Sequence, residues 1–148
     1  MYVEEKKVAI VTGCSSGIGL ETSKILARNG FYTYATMRNT DKIQETDKSI
    51  RKNSGDDDLP LRIIKLDAND DTSVHNAIDT ILSERQKIDI LVNNARYALV
   101  GPLEETSIDE MKAQFETNFF GAIRVIKAVL PTMRKQRSGR IVNIRPIA

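Results

Sequence analysis

The stretch Val8-Ala9-Ile10-Val11-Thr12-Gly13-Cys14-Ser15-Ser16-Gly17-Ile18-Gly19 restricts the fold more than any other part of the chain. A short apolar run ends in a loop holding three glycines, and a helical pattern starts at Ile18. This predicts a strand over residues 7–11, a tight turn and a helix over residues 18–29, the opening of a βαβ unit. On that helix Ile18, Ile25 and Leu26 are expected on one buried face, with Gly30 closing the C-terminus at positive φ. Gly13 would permit the turn off the strand, Gly17 would let backbone approach a pyrophosphate, and Gly19 would let the helix pack closely on the sheet. The helix N-terminus offers open N–H groups to an anion, and Ser15 and Ser16 can add hydroxyl donors. Glycines spaced Gly-x-x-x-Gly-x-Gly also occur in ordinary loops, so the rest of the chain has to decide.

The following segments repeat the rhythm. Residues 31–36 read as a second strand, followed by Met37 and Arg38. In a dinucleotide fold an acid at this place binds a free ribose 2′-OH, whereas an arginine suits a 2′-phosphate. No acid appears before Asp41, so Arg38 favours NADP over NAD, with a solvated surface arginine as the alternative. A polar helix over 41–52 uses Ile43 and Ile50, and a third strand over 61–66 ends at Asp67-Ala68-Asn69-Asp70. The helix over 72–85 carries Val74, Ala77, Ile78, Ile81 and Leu82 on one stripe, leaving His75 on the surface. A fourth strand over 88–92 leads into Asn93-Asn94-Ala95-Arg96. Ser107-x-x-Glu110 is a capping box opening a long helix whose apolar positions include Met111, Phe115, Phe119, Ile123, Ile126 and Val129. Pro131 is expected to kink or end it, Ser138-Gly139 to close the basic run 134–137, and residues 140–144 to form a fifth strand. The Asp56-Asp57-Asp58 run reads as solvated charge, and no metal site is expected.

Strands alternating with helices predict an α/β fold, a Rossmann-type doubly wound parallel sheet of about five strands in three layers. Ligands in such sheets bind beyond the C-terminal strand ends, where Gly13, Arg38, Asp67, Asn94 and Pro146 would gather. The 148 residues suit one domain, 1–148, with 41% hydrophobic and 28% charged residues. A net charge of +2 with dispersed Lys and Arg gives no support for nucleic acid, and 5% aromatic residues disfavour a base-stacking platform. No run approaches membrane-spanning length and the N-terminus lacks an apolar signal core, so a cytoplasmic protein is expected. Cys14 is the only cysteine, which excludes an intrachain disulfide.

The residues Thr12-Gly13-x-x-x-Gly17-Ile18-Gly19, Asp67, Asn93-Asn94-Ala95 and Thr117-Asn118-Phe119-Phe120-Gly121, together with Gly139-Arg140-Ile141-Val142-Asn143-Ile144, resemble the short-chain dehydrogenase/reductases. The likeness covers essentially the whole chain in order. Tyr34-Ala35-Thr36-Met37-Arg38 is similar to steroid- and retinoid-acting members. The resemblance implies that Gly13, Ser15, Ser16, Gly17, Ile18 and Gly19 surround the pyrophosphate and that Asp67 and Ala68 meet the adenine. It further implies that Asn94 and Ala95 line the adenosine ribose, that Asn93 helps hold the central strands, and that Asn118 distorts the long helix and supports a proton-relay water. In the family this helix packs against a partner subunit, which implies a homo-oligomer through the segment around Asn118.

The departures bear on activity. The family strand ends Ile-Ser-Ser, and its second serine polarises the substrate carbonyl, whereas Arg145 and Pro146 stand here. Proline has no side-chain donor. No Tyr-x-x-x-Lys segment follows the fifth strand, where in the family it supplies the general acid/base and its lysine, so the resemblance implies a truncated member. Arg96 replaces the usual glycine after Asn-Asn-Ala, where it would crowd the cofactor or demand a different turn. Three readings stay open. One is an NADP-preferring oxidoreductase for a small-molecule carbonyl or alcohol, with little or no activity from this chain alone. The others are a noncatalytic nucleotide-binding module and a nonfunctional fragment with an unpaired, aggregation-prone last strand.

Overall fold

The computed structural model describes residues 5–55 and 58–144. Arg145 and Pro146, for which expectations were drawn above, lie outside the described residues, as do Asp56 and Asp57. The elements run β1 (Val8–Val11), α1 (Gly17–Arg28), β2 (Tyr32–Met37), α2 (Ile43–Ser54), β3 (Leu61–Lys65), α3 (Asp71–Arg85) and β4 (Ile90–Asn93). A helix α4 (Ile108–Phe115) then passes through a π-helical segment, Glu116–Gly121, into α5 (Ala122–Gln136), and β5 (Arg140–Asn143) follows. All strand pairs are parallel and the sheet order is β3-β2-β1-β4-β5. This is the three-layer, doubly wound architecture read from the sequence.

Alternate residues of the strands feed two cores, one on each face of the sheet. Val8, Ile10, Tyr34, Ile64 and Leu91 face α3 and α5, against Val74, Ile81, Val125 and Val129. Val11, Ala35, Met37 and Ile63 face α1 and α2, against Ala27 and Ile50. β1 is buried at every position because it is central and covered on both sides. At the β5 edge the pattern thins: Ile141 and Ile144 pack partly against the two cores, while Val142 is exposed.

Two helices turn differently from the expectation. In α1, Ile18 and Ile25 are 50% and 57% exposed, and the buried stripe is Gly19, Ser23 and Ala27. The reason is distance: a Cβ at Gly19 would overlap the Gly13 carbonyl oxygen and the Asn94 amide nitrogen, so only small residues fit beneath this helix. Leu26 still packs against the second core from a half-buried position. In the long helix, Phe115, Phe119 and Ile123 are exposed; Val129 is buried as expected, together with Gly121, Val125 and Met133. The π segment widens the helical turn, so an uninterrupted 3.6-residue period does not carry the stripe of α4 into α5. Ile126 and Met111 are half-buried. Ser107 forms the expected capping box with Glu110, and its hydroxyl and backbone hold the Glu110 carboxyl below its ordinary range.

Pro131 does not end α5, which continues to Gln136. The helix closes through Arg137 in the left-handed region, φ 55°, and Gly139 serves another purpose. A Cβ on Gly139 would stand 2.9 Å from Met133 Cβ, so glycine lets the chain cross the helix end and enter β5. Gly30 has the expected positive φ, 85°, and His75 is exposed. Among the described residues no helix is long and apolar enough to cross a membrane, and no group of His, Cys, Asp or Glu is arranged to hold a metal ion.

Cys14 follows Gly13 and is fully buried, with its sulfur 3.1 Å from the Val11 carbonyl oxygen and 3.2 Å from Ser23 Oγ. Burial pushes the thiol up from 9.0 to about 11, against the lowering effect of the Ser23 and Thr36 hydrogen bonds. Unfolded thiol ionises first, so this group lowers stability as pH rises from 9.0 toward about 11. In the native chain Cys14 is expected to resist iodoacetamide at pH 8 and to react after denaturation. Rapid alkylation of the folded protein, read by mass spectrometry, would contradict this placement.

Candidate functional site

Past the C-terminal end of β1, the loop opening α1 locks onto the loop after β4. The hydroxyl of Thr12, a fully buried residue, accepts from the backbone N–H of Asn94 at 3.0 Å and of Ala95 at 2.9 Å. In return the Asn94 amide donates to the carbonyls of Thr12 at 3.1 Å and Gly13 at 3.0 Å. Gly13 has φ 70°, and a Cβ there would come within 2.7 Å of Ala95 Cα. Glycine is therefore required twice over at this position, by conformation and by space. Thr12 opens the glycine motif of the sequence, but its role as the acceptor joining the two strand ends is not visible there.

The lock leaves polar groups open. Asn94 Oδ1 is buried and accepts no hydrogen bond from any described residue. A buried acceptor without a partner is a point at which a ligand donor fits. Ser16 caps α1 in extended conformation without a side-chain hydrogen bond to the helix, and no acid occupies the first turn. The positive end of α1 therefore faces outward uncompensated. Gly17 has φ 61° and nothing within 4 Å of the position a Cβ would take, so a ligand can approach its backbone closely.

A cavity of about 190 Å³ lies beside this loop, and Gly13, Ser15, Arg38, Asp67, Ala68 and Ala95 all line it. Six expected positions from four separate strand ends thus share one concavity. Ser16, Gly17 and Ile18 lie on the exposed rim of the same loop, and Gly19 and Asn94 form its buried base. Arg38 is exposed and has no hydrogen bond or ion pair with any described residue. Asp67 is half-buried; its carboxylate accepts from Asn69 N–H at 3.0 Å, and its own N–H donates to Ser73 Oγ at 2.9 Å.

Asn118 lies within the π segment, where a local distortion was expected. Both ends of its carboxamide are engaged: Oδ1 accepts from Tyr97 N–H at 2.7 Å and Nδ2 donates to the Tyr97 carbonyl at 2.8 Å. Asn118, Asn93, Arg96, Phe119, Asn143 and Ile144 help line a second, more apolar cavity of about 510 Å³. Asn93 donates to Asn143 Oδ1 at 2.9 Å, tying β4 to the edge strand. Arg96 lines both cavities, is exposed, and keeps negative φ, so the turn here does not require glycine.

An α/β sheet with a glycine loop at its central strand and a polar cavity at the strand ends defines the class of dinucleotide-fold proteins. The model of the short chain dehydrogenase family matches residues 7–148, and the chain belongs to this family. It is 40% identical over 144 residues to retinol dehydrogenase 8 of Homo sapiens, covering 95% of this chain and 44% of that protein. It is 36% identical over 143 residues to 3-ketodihydrosphingosine reductase of Bacteroides thetaiotaomicron, covering 97% and 48%. The chain thus spans about half the length of the curated relatives it matches. Among solved structures, an actinorhodin polyketide ketoreductase with NADPH superposes with a TM-score of 0.86 at 29% identity, covering 97% of this chain and 54% of that one. A short-chain dehydrogenase from Streptomyces avermitilis gives 0.82 at 33% identity, covering 96% and 50%.

Replacing Thr12 by valine keeps the shape and strands two backbone N–H groups. Thr12→Val is expected to lower stability by about 2–6 kcal/mol, since each unsatisfied buried donor costs about 1–3 kcal/mol. Chemical denaturation checks this; an unchanged midpoint would mean that water replaces the hydroxyl.

Proposed function

We propose that residues 1–148 form a single nucleotide-binding domain of an oxidoreductase that prefers NADP over NAD and acts between a small-molecule carbonyl and its alcohol. The observation that carries the reading is Arg38, without a hydrogen-bond or ion-pair partner among the described residues and lining the same small cavity as Asp67 and Ala68. A guanidinium there matches a 2′-phosphate, and no carboxylate lies at the end of β2 to receive a free 2′-OH. In this reading Gly13, Ser15, Ser16, Gly17, Ile18 and Gly19 receive the pyrophosphate at the open end of α1, and Asp67 and Ala68 meet the adenine. Asn94 and Ala95 hold the adenosine ribose, with the open Asn94 Oδ1 as acceptor. NADPH, when bound, supplies the hydride from its nicotinamide ring.

Proton transfer to the reacting oxygen needs a positioned donor. We propose that these 148 residues by themselves turn over little or no carbonyl substrate. Their one Tyr-x-x-x-Lys spacing, Tyr2 to Lys6, precedes β1 and is not at the place after β5 where the family has it, and Asn118 is the one member of the family's catalytic set they hold, with its side chain committed to Tyr97. A noncatalytic nucleotide-binding module is the second reading; its cofactor half is present except at Arg96, which stands where the family has glycine. Self-association through the exposed Phe115, Phe119, Phe120 and Ile123, and a cytoplasmic setting for the free Cys14 thiol, belong to the same proposal.

Titration with NADPH and NADH, following nicotinamide fluorescence and thermal midpoint together, is expected to show saturable binding that is tighter for NADPH. Arg38→Ala is expected to weaken NADPH by about tenfold, roughly 1.4 kcal/mol, and to leave NADH nearly unchanged. Absence of binding by the folded chain would overturn the nucleotide reading. Assays of NADPH oxidation with a panel of ketones and aldehydes are expected to stay at background, and robust turnover would overturn the proposed incompetence.

A further inference from the structure

Arg124 is not among the residues expected from the sequence and lines neither cavity of the site. It sits on α5 with its side chain four-fifths buried, and each of its three guanidinium nitrogens donates a hydrogen bond. Nε donates to Asp71 Oδ1 at 2.7 Å, one terminal nitrogen to the Ala68 carbonyl at 2.6 Å, and the other to Glu116 Oε1 at 2.8 Å. The acceptors come from three segments: Asp71 opens α3, Ala68 belongs to the loop after β3, and Glu116 opens the π segment. The Glu116 hydrogen bond is the largest cause holding Arg124 above its usual range, and the Asp71 carboxylate adds to it.

Other contacts tie the same two walls together. Asn69 donates to Thr117 Oγ1 at 2.9 Å. Gly121 lies so close that a Cβ would stand 3.2 Å from Ala68 Cβ. Ala68, Asn69, Thr117 and Tyr97 line the smaller cavity, and Asn118, beside Thr117, holds the backbone of Tyr97. The wall of that cavity and the π turn therefore form one unit, fastened from behind by a planar fork. Lysine has no such fork and meets acceptors as a point charge.

We propose that Arg124 is a positioning residue for the nucleotide site: its clamp on Ala68, Asp71 and Glu116 holds the adenosine-side wall and the turn bearing Asn118 in binding geometry. This rests on the nucleotide reading above and extends it to a residue that touches no ligand. Removing the guanidinium leaves the Ala68 carbonyl without its donor and sets two carboxylates, Asp71 and Glu116, against each other without the cation between them. The wall then relaxes, while the glycine loop, built by Thr12 and Asn94, keeps its shape.

The test compares the unsubstituted chain with Arg124→Met and Arg124→Lys. Adenosine 2′,5′-bisphosphate and inorganic pyrophosphate are titrated calorimetrically, and amide exchange is followed at residues 67–70 and 96–98. Arg124→Met is expected to weaken the bisphosphate about tenfold, leave pyrophosphate binding to the glycine loop unchanged, and speed exchange in both segments. Arg124→Lys is expected to recover part of the loss. If Arg124→Met does not fold, Asp71→Asn, which removes one charged leg, is expected to weaken the bisphosphate about threefold with the same pyrophosphate result. Unchanged bisphosphate affinity, or an equal loss for pyrophosphate, would overturn the positioning role. Failure of the unsubstituted chain to bind either probe would instead overturn the nucleotide reading, and unchanged exchange in Arg124→Met would then overturn the clamp as well.

Discussion

The site depends on the lock between the ends of β1 and β4. Thr12 Oγ1 accepts two backbone N–H groups, and Asn94 returns two donors to the carbonyls of Thr12 and Gly13. Four hydrogen bonds thereby satisfy backbone groups at the point where both strands stop and the ladder can no longer do so. The loops are drawn so close that Gly13 and Gly19 cannot carry a side chain. Closeness is also what orients α1, since a helix seated on Gly19, Ser23 and Ala27 points its N-terminus across the strand ends. An open helix N-terminus at the centre of the sheet follows from this packing and needs no charged residue.

The remaining site elements hang on that centre at different distances. The β2 end contributes Arg38, exposed at the rim and unpaired among the described residues. The loop after β3 contributes Asp67 and Ala68, and it is shaped locally by the Asp67–Asn69 turn and by the Asp70 cap of α3. The far wall comes from the π segment, held to that loop by Arg124 and Asn69 and to the β4 loop by Asn118. An energetically unfavourable helical turn is retained because its polar groups are used outside the helix. Arg96, standing where the family pattern has glycine, borders the same cavity.

Much of this was legible from residue order. The glycine spacing, Arg38, Asp67, Asn94 and Asn118 are short-range signals: each marks a strand end or a helix start, and a parallel sheet brings strand ends together regardless of detail. The strands and the capping box at Ser107 were equally readable. The errors fall where hydrophobicity was used to orient a helix. Ile18 and Ile25 looked like core residues by period, yet the tight approach to Gly13 selects small side chains on that side. Phe115, Phe119 and Ile123 kept a four-residue period, but the π segment separates their stripe from the one α5 buries.

By itself, the sequence determined the class of fold, the order of strands and helices, the family and the set of strand-end residues. Those depend on local periodicity and turn chemistry, which neighbouring residues decide. Tertiary structure decided which helix faces are buried, that Thr12 rather than a loop residue locks the two central strand ends, and that Arg124 fastens the cavity wall from outside. These depend on contacts between residues fifty or more positions apart. No periodicity records such distances; they follow from how closely two backbones approach and which donors that approach leaves in need of a partner.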